Sequence, residues 1–141
     1  MLAPETAARR IYVSRRDVRQ RTLLNEDELI AALSPLGFET VVPGELSVVE
    51  QIRTFSGARY IVGIHGAALT NIVFAPCDAA ILVVTSAAIE RMDNFRRIAA
   101  GMGQKMTTIV SDRFDADPLD MHADYRVDVD EIVRAARQML E

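Results

Sequence analysis

A histidine followed by three residues with very small side chains stands between two apolar runs. His65 can donate a hydrogen bond or act as an acid or base. Gly66, Ala67 and Ala68 leave backbone N–H groups open at what looks like a helix start, and helix N-termini attract anions. The segment therefore predicts a seat for a phosphate or carboxylate group. The alternative is structural, since small residues also permit close strand–helix packing and a histidine there can simply bond a carbonyl.

A second candidate for anion binding is an arginine-rich segment earlier in the chain. Its arginines are Arg15, Arg16, Arg19 and Arg21. Guanidinium groups match the geometry of phosphate oxygens. The alternative is a solvated basic loop that pairs with nearby acids such as Asp17, Glu26 and Asp27.

Other chemistry-bearing patterns are missing from the sequence. There is no G-x-G-x-x-G, G-K-[ST] or G-x-S-x-G motif. The two histidines, His65 and His122, stand in no ligand-spaced cluster, so we expect no metal and no other cofactor. Asn71 either faces the anion seat, one helical turn along, or is merely a polar position on the helix. Cys77 has no basic neighbour in the sequence and is predicted to be structural.

Composition places the chain among globular proteins. Its 141 residues are 50% hydrophobic and 26% charged, which suits one domain over residues 1–141. The net charge of −4 and the absence of tryptophan argue against nucleic-acid binding. No signal-like apolar core opens the chain, and no apolar run is long enough to span a membrane. We therefore expect a cytoplasmic location.

Strand-like and helix-like patterns alternate along the whole chain, which predicts an α/β fold with a parallel sheet covered by helices on both faces. The predicted strands are residues 10–15, 38–43, 60–64, 79–85 and 105–111. The predicted helices are residues 25–37, 47–58, 67–75, 88–103 and 129–141. Residues 112–126 are predicted to be a loop. Ligands bind such sheets at the carboxyl ends of the strands. Both anion-binding candidates follow such an end.

Two predicted helices begin with the same signature. Asn25 is followed by Glu28, and Ser47 by Glu50, the spacing of a capping box. Gly37 is predicted to end the first of these helices.

Several short motifs together resemble the C-terminal part of glycosyltransferase family 61. They are S-R-R at residues 14–16, R-x-x-x-N-E at 21–26, E-Q at 50–51 and H-G-A-x-L-T-N at 65–71. The resemblance extends from about residue 11 to about residue 84. The family includes capsular polysaccharide biosynthesis proteins and eukaryotic xylosyl- and N-acetylglucosaminyltransferases.

The resemblance implies a GT-B-like enzyme of two domains. A Rossmann-like, doubly wound C-terminal half binds a nucleotide sugar, and an N-terminal half binds the glycan acceptor. This chain resembles the donor half alone, so we expect it to lack the acceptor domain, to be inactive by itself and to self-associate through the exposed partner surface. The implied donor-binding residues are Arg15, Arg16, Arg21, His65, Gly66, Ala67 and Asn71. His65 is also the candidate catalytic residue.

The remaining family positions have a structural interpretation first. Asn25, Glu26, Glu50 and Gln51 are interpreted as helix-capping residues or as residues that support the site without contacting the donor, and capping offers no explanation for Gln51. Val83 stands where the family often has a glutamate, and in GT-B enzymes an acid in this region commonly holds the ribose. The leading hypothesis is thus diphosphate binding for metal-free glycosyl transfer. The alternatives are a non-catalytic nucleotide-binding or interaction domain and, third, a phosphate-ester enzyme.

Overall fold

The computed structural model describes residues 9–20, 22–87, 89–90, 92–111, 113–114 and 122–141. Its centre is a parallel sheet of five strands in the order β2-β1-β3-β4-β5. The strands are β1 (Arg9–Val13), β2 (Phe38–Val41), β3 (Ala58–Ile64), β4 (Ala80–Ser86) and β5 (Lys105–Ser111). The predicted α/β class and the five parallel strands are therefore confirmed.

Helices alternate with the strands, as predicted, but the helix predicted for residues 88–103 begins only at residue 94. The helices are α1 (Glu26–Leu33), α2 (Val48–Ser56), α3 (Asn94–Met102) and α4 (Val129–Leu140). The connection after β3 differs in type, because Ala67–Phe74 forms a 3-10 helix. None of the helices in the described part of the chain has the length and apolarity that crossing a membrane requires.

The sheet buries a hydrophobic core on each face, which explains why its central strands are apolar throughout. On one face, Ile61 of β3 packs in a cluster with Phe55 of α2 and Phe95 of α3. On the other face, the next strand residue, Val62, packs with Leu29 of α1 and Ile132 of α4. Successive strand residues point to opposite faces, which explains why residues 61–64 of β3 are all buried.

The strand order fixes where the crevice of the sheet lies. From β1 the chain moves to β2 on one side, and then crosses to β3 on the other side of β1. The loops that follow β1 and β3 therefore leave the sheet in opposite directions, which opens a crevice between their carboxyl ends. Residues 14–16 and 65–67 follow these two ends.

The loop predicted for residues 112–126 is wrong in part. Two short antiparallel strands, β6 (Arg113–Phe114) and β7 (Tyr125–Arg126), pair within it. Tyr125 also forms a parallel bridge with Leu23. The residues between the strands at 115–121 lie outside the described part. The pairing depends on partners distant in sequence, which a local reading of turn residues misses.

The two predicted capping boxes have different outcomes. Ser47 Oγ accepts a hydrogen bond from the Glu50 amide at 3.2 Å, and Glu50 Oε2 accepts one from the Ser47 amide at 2.7 Å, which confirms the box of α2. Asn25 precedes α1, but its side chain makes no capping hydrogen bond, so the prediction that it caps this helix is wrong. Gly37 takes a left-handed φ of 84° and ends the 3-10 turn after α1, as predicted.

Candidate functional site

The crevice between β1 and β3 brings the two predicted anion-binding segments into direct contact. Arg15 Nη1 donates a hydrogen bond of 2.7 Å to the carbonyl oxygen of His65, 50 residues further along the chain. Parallel strands end at the same edge of a sheet, so residues that follow two neighbouring strands become neighbours in space. We call this contact and the residues around it the switch-point crevice, comprising residues 14–16 and 65–67.

Gly66 makes room for the side chain of Arg15. A Cβ atom at residue 66 would overlap the Arg15 guanidinium. The space that the sequence leaves open above the backbone is therefore occupied in part by a cation. The absence of a side chain at residue 66 serves the placement of Arg15, and the next residue, Ala67, is exposed beside it.

Arg15 is a half-buried cation with unused hydrogen-bonding capacity. Its Nε atom is buried without a hydrogen-bond partner. Among the described residues, no carboxylate forms an ion pair with it. Burial lowers the pKa of the guanidinium, while Tyr125 and Asp17 act in the opposite direction. A positive charge held with a neutral carbonyl as its partner favours an incoming anion.

Arg16 has the opposite environment. Its Nε lies 3.6 Å from Oε2 of Glu26, and its Nη2 lies 3.3 Å from Oδ1 of Asp27. The two carboxylates offset much of its charge. Arg19 is exposed further along this loop, and Arg21 lies outside the described residues.

The side chain of Glu26 contacts the end of β1, although its backbone begins α1. Its Oε1 accepts hydrogen bonds from Tyr12 Oη at 2.8 Å and from Ser14 Oγ at 2.7 Å. Burial and the Glu26 carboxylate raise the pKa of the Tyr12 phenol. Of the two interpretations of Glu26, capping of α1 and support of the site, these bonds favour the second, because the side chain fixes the strand end. Sequence reasoning did not single out Ser14, although the S-R-R motif contained it.

Asn25 ties the loop after β1 to the C-terminal part of the chain. Its Nδ2 donates to the Val127 carbonyl and its Oδ1 accepts from the Val127 amide, both at 3.0 Å. The neighbouring backbone adds a bond from the Leu24 amide to the Tyr125 carbonyl and one from the Tyr125 amide to the Thr22 carbonyl. Residues 22–25 are thus fixed by residues 125–127, a segment that sequence reasoning did not connect with the site.

The His65 ring lies on the α3 face of the sheet, although its carbonyl faces Arg15. The ring meets Phe95 edge-on, with centroids 4.7 Å apart. It borders a cavity of about 20 Å³ that Thr85 and Met92 also line. Burial lowers the pKa of the imidazole, the charge of Arg15 lowers it further, and a hydrogen bond with the Met92 backbone opposes both. The ring is therefore neutral at pH 7 and suited to hydrogen bonding or proton transfer without a charge of its own.

Val83, the position of the expected acid, is buried within the apolar core on this same face. It pairs with Gly63 of β3 and Thr108 of β5 in the sheet. Val83 also lines the small cavity beside the His65 ring, together with the polar residues Thr85 and Thr108.

Gln51 and Asn71 form a support beneath the crevice. Gln51 Nε2 donates to the carbonyls of Pro43 and Leu46 at 3.0 and 3.2 Å. Asn71 Nδ2 donates to Gln51 Oε1 at 2.9 Å and to the Ala68 carbonyl at 3.1 Å. This chain of amides joins the loop after β2 to the 3-10 helix. It gives Gln51 a structural explanation that the sequence did not provide.

Within the described ranges, no group of three or more His, Cys, Asp or Glu residues could hold a metal ion.

Comparison with known proteins gives a consistent set of similarities. The sequence model of the Glycosyltransferase 61 family matches residues 2–82. The EGF domain-specific O-linked N-acetylglucosamine transferase of Mus musculus is 32% identical over 93 residues, which is 62% of this chain and 18% of that protein. Alpha-1,3-arabinosyltransferase XAT3 of Oryza sativa subsp. japonica is 35% identical over 85 residues, 57% of this chain and 14% of that protein.

A third relative has a different printed activity. Beta-1,2-xylosyltransferase XAX1 of Oryza sativa subsp. japonica is 33% identical over 82 residues, 57% of this chain and 14% of that protein. The matched part of this chain thus spans less than a fifth of the length of these curated relatives.

Proposed function

The chain belongs to the glycosyltransferase 61 family, and on that basis we propose that it forms the donor-binding part of a glycosyltransferase. In this role it binds the diphosphate of a nucleotide sugar while the sugar is transferred to a glycan acceptor. The proposed architecture is the Rossmann-like C-terminal half of a GT-B-like enzyme, with the acceptor bound by another domain. A doubly wound strand order with a crevice between β1 and β3 supports this assignment.

The observation that carries the proposal is the position of Arg15. Its guanidinium lies over Gly66 at the switch-point crevice, bonds the His65 carbonyl and keeps a buried Nε without a partner. As a glycosidic bond to a diphosphate breaks, negative charge develops on the leaving group. A preorganised cation at this position stabilises that charge.

The other predicted donor-binding residues complete the proposed site. Arg16 and Arg21 are further proposed contacts to the diphosphate, and the backbone N–H groups of Gly66 and Ala67 are proposed to donate to its oxygens. Asn71 contributes through the 3-10 helix that it braces. His65, neutral at pH 7, is the proposed acid or base. No metal is needed in this scheme, because guanidinium and amide groups neutralise the leaving group.

The names of the relatives bear on the substrate. They describe transfer of N-acetylglucosamine, arabinose and xylose, so the sugar differs between relatives that share this part of the chain. We propose that the diphosphate is the shared feature of the donors. An acceptor in polysaccharide biosynthesis of the capsular type is part of the same proposal, as are the separate acceptor domain and the homodimer.

A second candidate function is a non-catalytic nucleotide-binding or interaction domain with the same fold. Val83 favours it, because an apolar side chain stands where a ribose-binding acid is expected. Such a domain would bind a nucleotide weakly and would not support transfer after addition of an acceptor domain.

Calorimetry with UDP, GDP and CMP tests the proposal on the full chain. We expect a nucleoside diphosphate to bind, and Arg15→Ala to weaken that binding by at least about tenfold, the effect of losing one charge-assisted contact. Arg59→Ala is the matched control, since it removes the same charge at the start of β3, where Arg59 pairs with Asp78. Absence of binding to all three nucleotides contradicts the donor-binding function. Equal binding by the two variants contradicts the site.

A further inference from the structure

Two hydroxyl groups converge on one carboxylate oxygen at the end of β1. Tyr12 Oη and Ser14 Oγ both donate to Glu26 Oε1, at 2.8 and 2.7 Å. Both hydroxyl-bearing residues are buried, and the Glu26 side chain is 12% exposed. The carboxylate is therefore a fixed acceptor at this strand end.

Ser14 also connects the Glu26 carboxylate to the loop that contains the arginines. Its Oγ accepts a hydrogen bond of 3.1 Å from the Arg16 amide. Ser and Thr hydroxyls form such turns with the amide two residues ahead. Because the Ser14 proton is directed at Glu26, the hydroxyl lone pairs remain for Arg16, and a donating hydroxyl is also a stronger acceptor.

We propose that Ser14 and Glu26 act as a positioning pair that sets the direction in which the chain leaves β1. That direction aims the guanidinium group of Arg15 at the diphosphate of the donor. The inference rests on the proposed function for its target, whereas the pair itself contacts no ligand. Arg15 reaches the His65 carbonyl from this turn, whose Ser14 hydroxyl accepts from the Arg16 amide.

The acceptor oxygen of Glu26 matters more than its charge. Glu26 Oε2 lies 3.6 Å from Arg16 Nε, longer than a hydrogen bond, whereas the two bonds to Oε1 are short. Glu26→Gln keeps an oxygen that can accept both hydroxyl bonds. Glu26→Leu keeps the approximate size and removes the acceptor. A positioning role therefore predicts that the first variant retains function and the second loses it.

Ser14→Ala and Tyr12→Phe form a matched pair for the experiment. Each removes one hydroxyl donor to the same oxygen, but only the first also removes the bond to the Arg16 amide. The probe is inorganic pyrophosphate, titrated against the full chain by calorimetry. We expect Ser14→Ala and Glu26→Leu to weaken binding about tenfold, equivalent to about 1.4 kcal/mol, and Tyr12→Phe and Glu26→Gln to stay within about twofold of the unmodified chain.

Amide hydrogen exchange at Arg16 supplies a readout that needs no ligand. We expect its protection, measured relative to global stability, to be lost in Ser14→Ala and Glu26→Leu and kept in Tyr12→Phe and Glu26→Gln. This measurement also reports whether each variant folds.

The outcomes separate the two hypotheses. If the unmodified chain binds neither pyrophosphate nor any nucleotide, the proposed function is wrong, and Arg16 exchange alone decides whether the pair sets the loop. If it binds and Ser14→Ala binds equally well, the positioning pair is wrong while the donor site stands. Equal weakening by Ser14→Ala and Tyr12→Phe also overturns the inference, because it would indicate a general loss of stability. Weakening by Glu26→Gln as large as that by Glu26→Leu would overturn it in favour of a charge effect.

Discussion

Helices α1 and α2 begin with the same kind of signature and are held in different ways. At α2, Ser47 and Glu50 bond each other's backbone amides in a closed local box. At α1, Asn25 instead bonds Val127, 102 residues away. Glu26, the first residue of α1, bonds the end of β1. One helix start is a local structure, and the other is a junction between distant segments.

The difference follows from burial. Asn25 is 9% exposed and faces backbone groups of residue 127 that water cannot easily reach, whereas Ser47 is exposed. A buried amide and carbonyl without partners cost more than an uncapped N–H at a solvent-exposed helix end. The Asn25 side chain therefore bonds the buried backbone of Val127 and leaves the start of α1 uncapped. The capping signature in the sequence indicates only the second of these possible contacts.

The largest effect is expected at Asn25. Serine is as good an N-cap as asparagine but too short to bond both backbone groups of Val127. We therefore expect Asn25→Ser to lower the free energy of unfolding by about 2–4 kcal/mol, the cost of two buried groups left unpaired. Urea denaturation measures this. A loss below about 0.5 kcal/mol would mean that Asn25 acts as a cap after all.

Ser47→Ala is expected to have a smaller effect. It removes the hydroxyl that accepts from the Glu50 amide, and loss of an N-cap of this kind costs about 1 kcal/mol. Ser47→Asp preserves an acceptor and serves as the control, with stability close to that of the unmodified chain. If Ser47→Ala proves as damaging as Asn25→Ser in the same urea series, the contrast between local and distant anchoring fails.

Low pH should reduce the contribution of Glu50 to the stability of the α2 start. Hydrogen bonds from Ser47 lower the pKa of the Glu50 carboxyl below its ordinary value of 4.5. A carboxyl group whose pKa is lower in the folded state than in the unfolded state stabilises the folded protein. This stabilisation is complete above the unfolded-state pKa and is lost as the pH falls through the folded-state pKa. The stability difference between the unmodified chain and Glu50→Gln should therefore shrink below about pH 4.5. A difference in the free energy of unfolding that stays constant from pH 6 to pH 3 would contradict this prediction.

The smallest effect is expected at Glu28, which occupies at α1 the position that Glu50 has at α2. Because α1 has no capping box, we expect Glu28→Ala to change the free energy of unfolding by less than about 0.5 kcal/mol, the range of ordinary surface substitutions. Glu50→Ala in the same assay is the comparison, and it should be the more destabilising of the two. The reverse order would show that a box forms at α1 in solution.

The parts of the fold that short-range patterns control were predictable. Apolar runs gave the five strands, and Ser47 and Gly37 marked a helix start and a helix end. The meeting of Arg15 with residues 65–66 followed from strand order, since both segments come after parallel strands. These predictions needed periodicity and topology, which a single sequence contains.

The parts that depend on distant partners were not predictable. Nothing near Asn25 in the sequence indicates Val127, and nothing near Glu26 indicates that two hydroxyl groups of β1 will reach its carboxylate. The 3-10 form after β3 also escaped prediction, because its residues fit an α-helix equally well by pattern. In each case a tertiary contact chose between local conformations of similar energy.

The bond between Asn25 and Val127 has a consequence for how the protein is made. Its two partners are 102 positions apart, so the loop carrying Arg15 and Arg16 leaves the ribosome long before the residue that fastens it. Contacts of such long sequence separation form late, because loop closure must come first. The β1 strand can pair with β2 and β3 during synthesis, while the loop after β1 is fastened only after residue 127 has been made. A nascent chain therefore passes through a stage with a sheet but without a finished site.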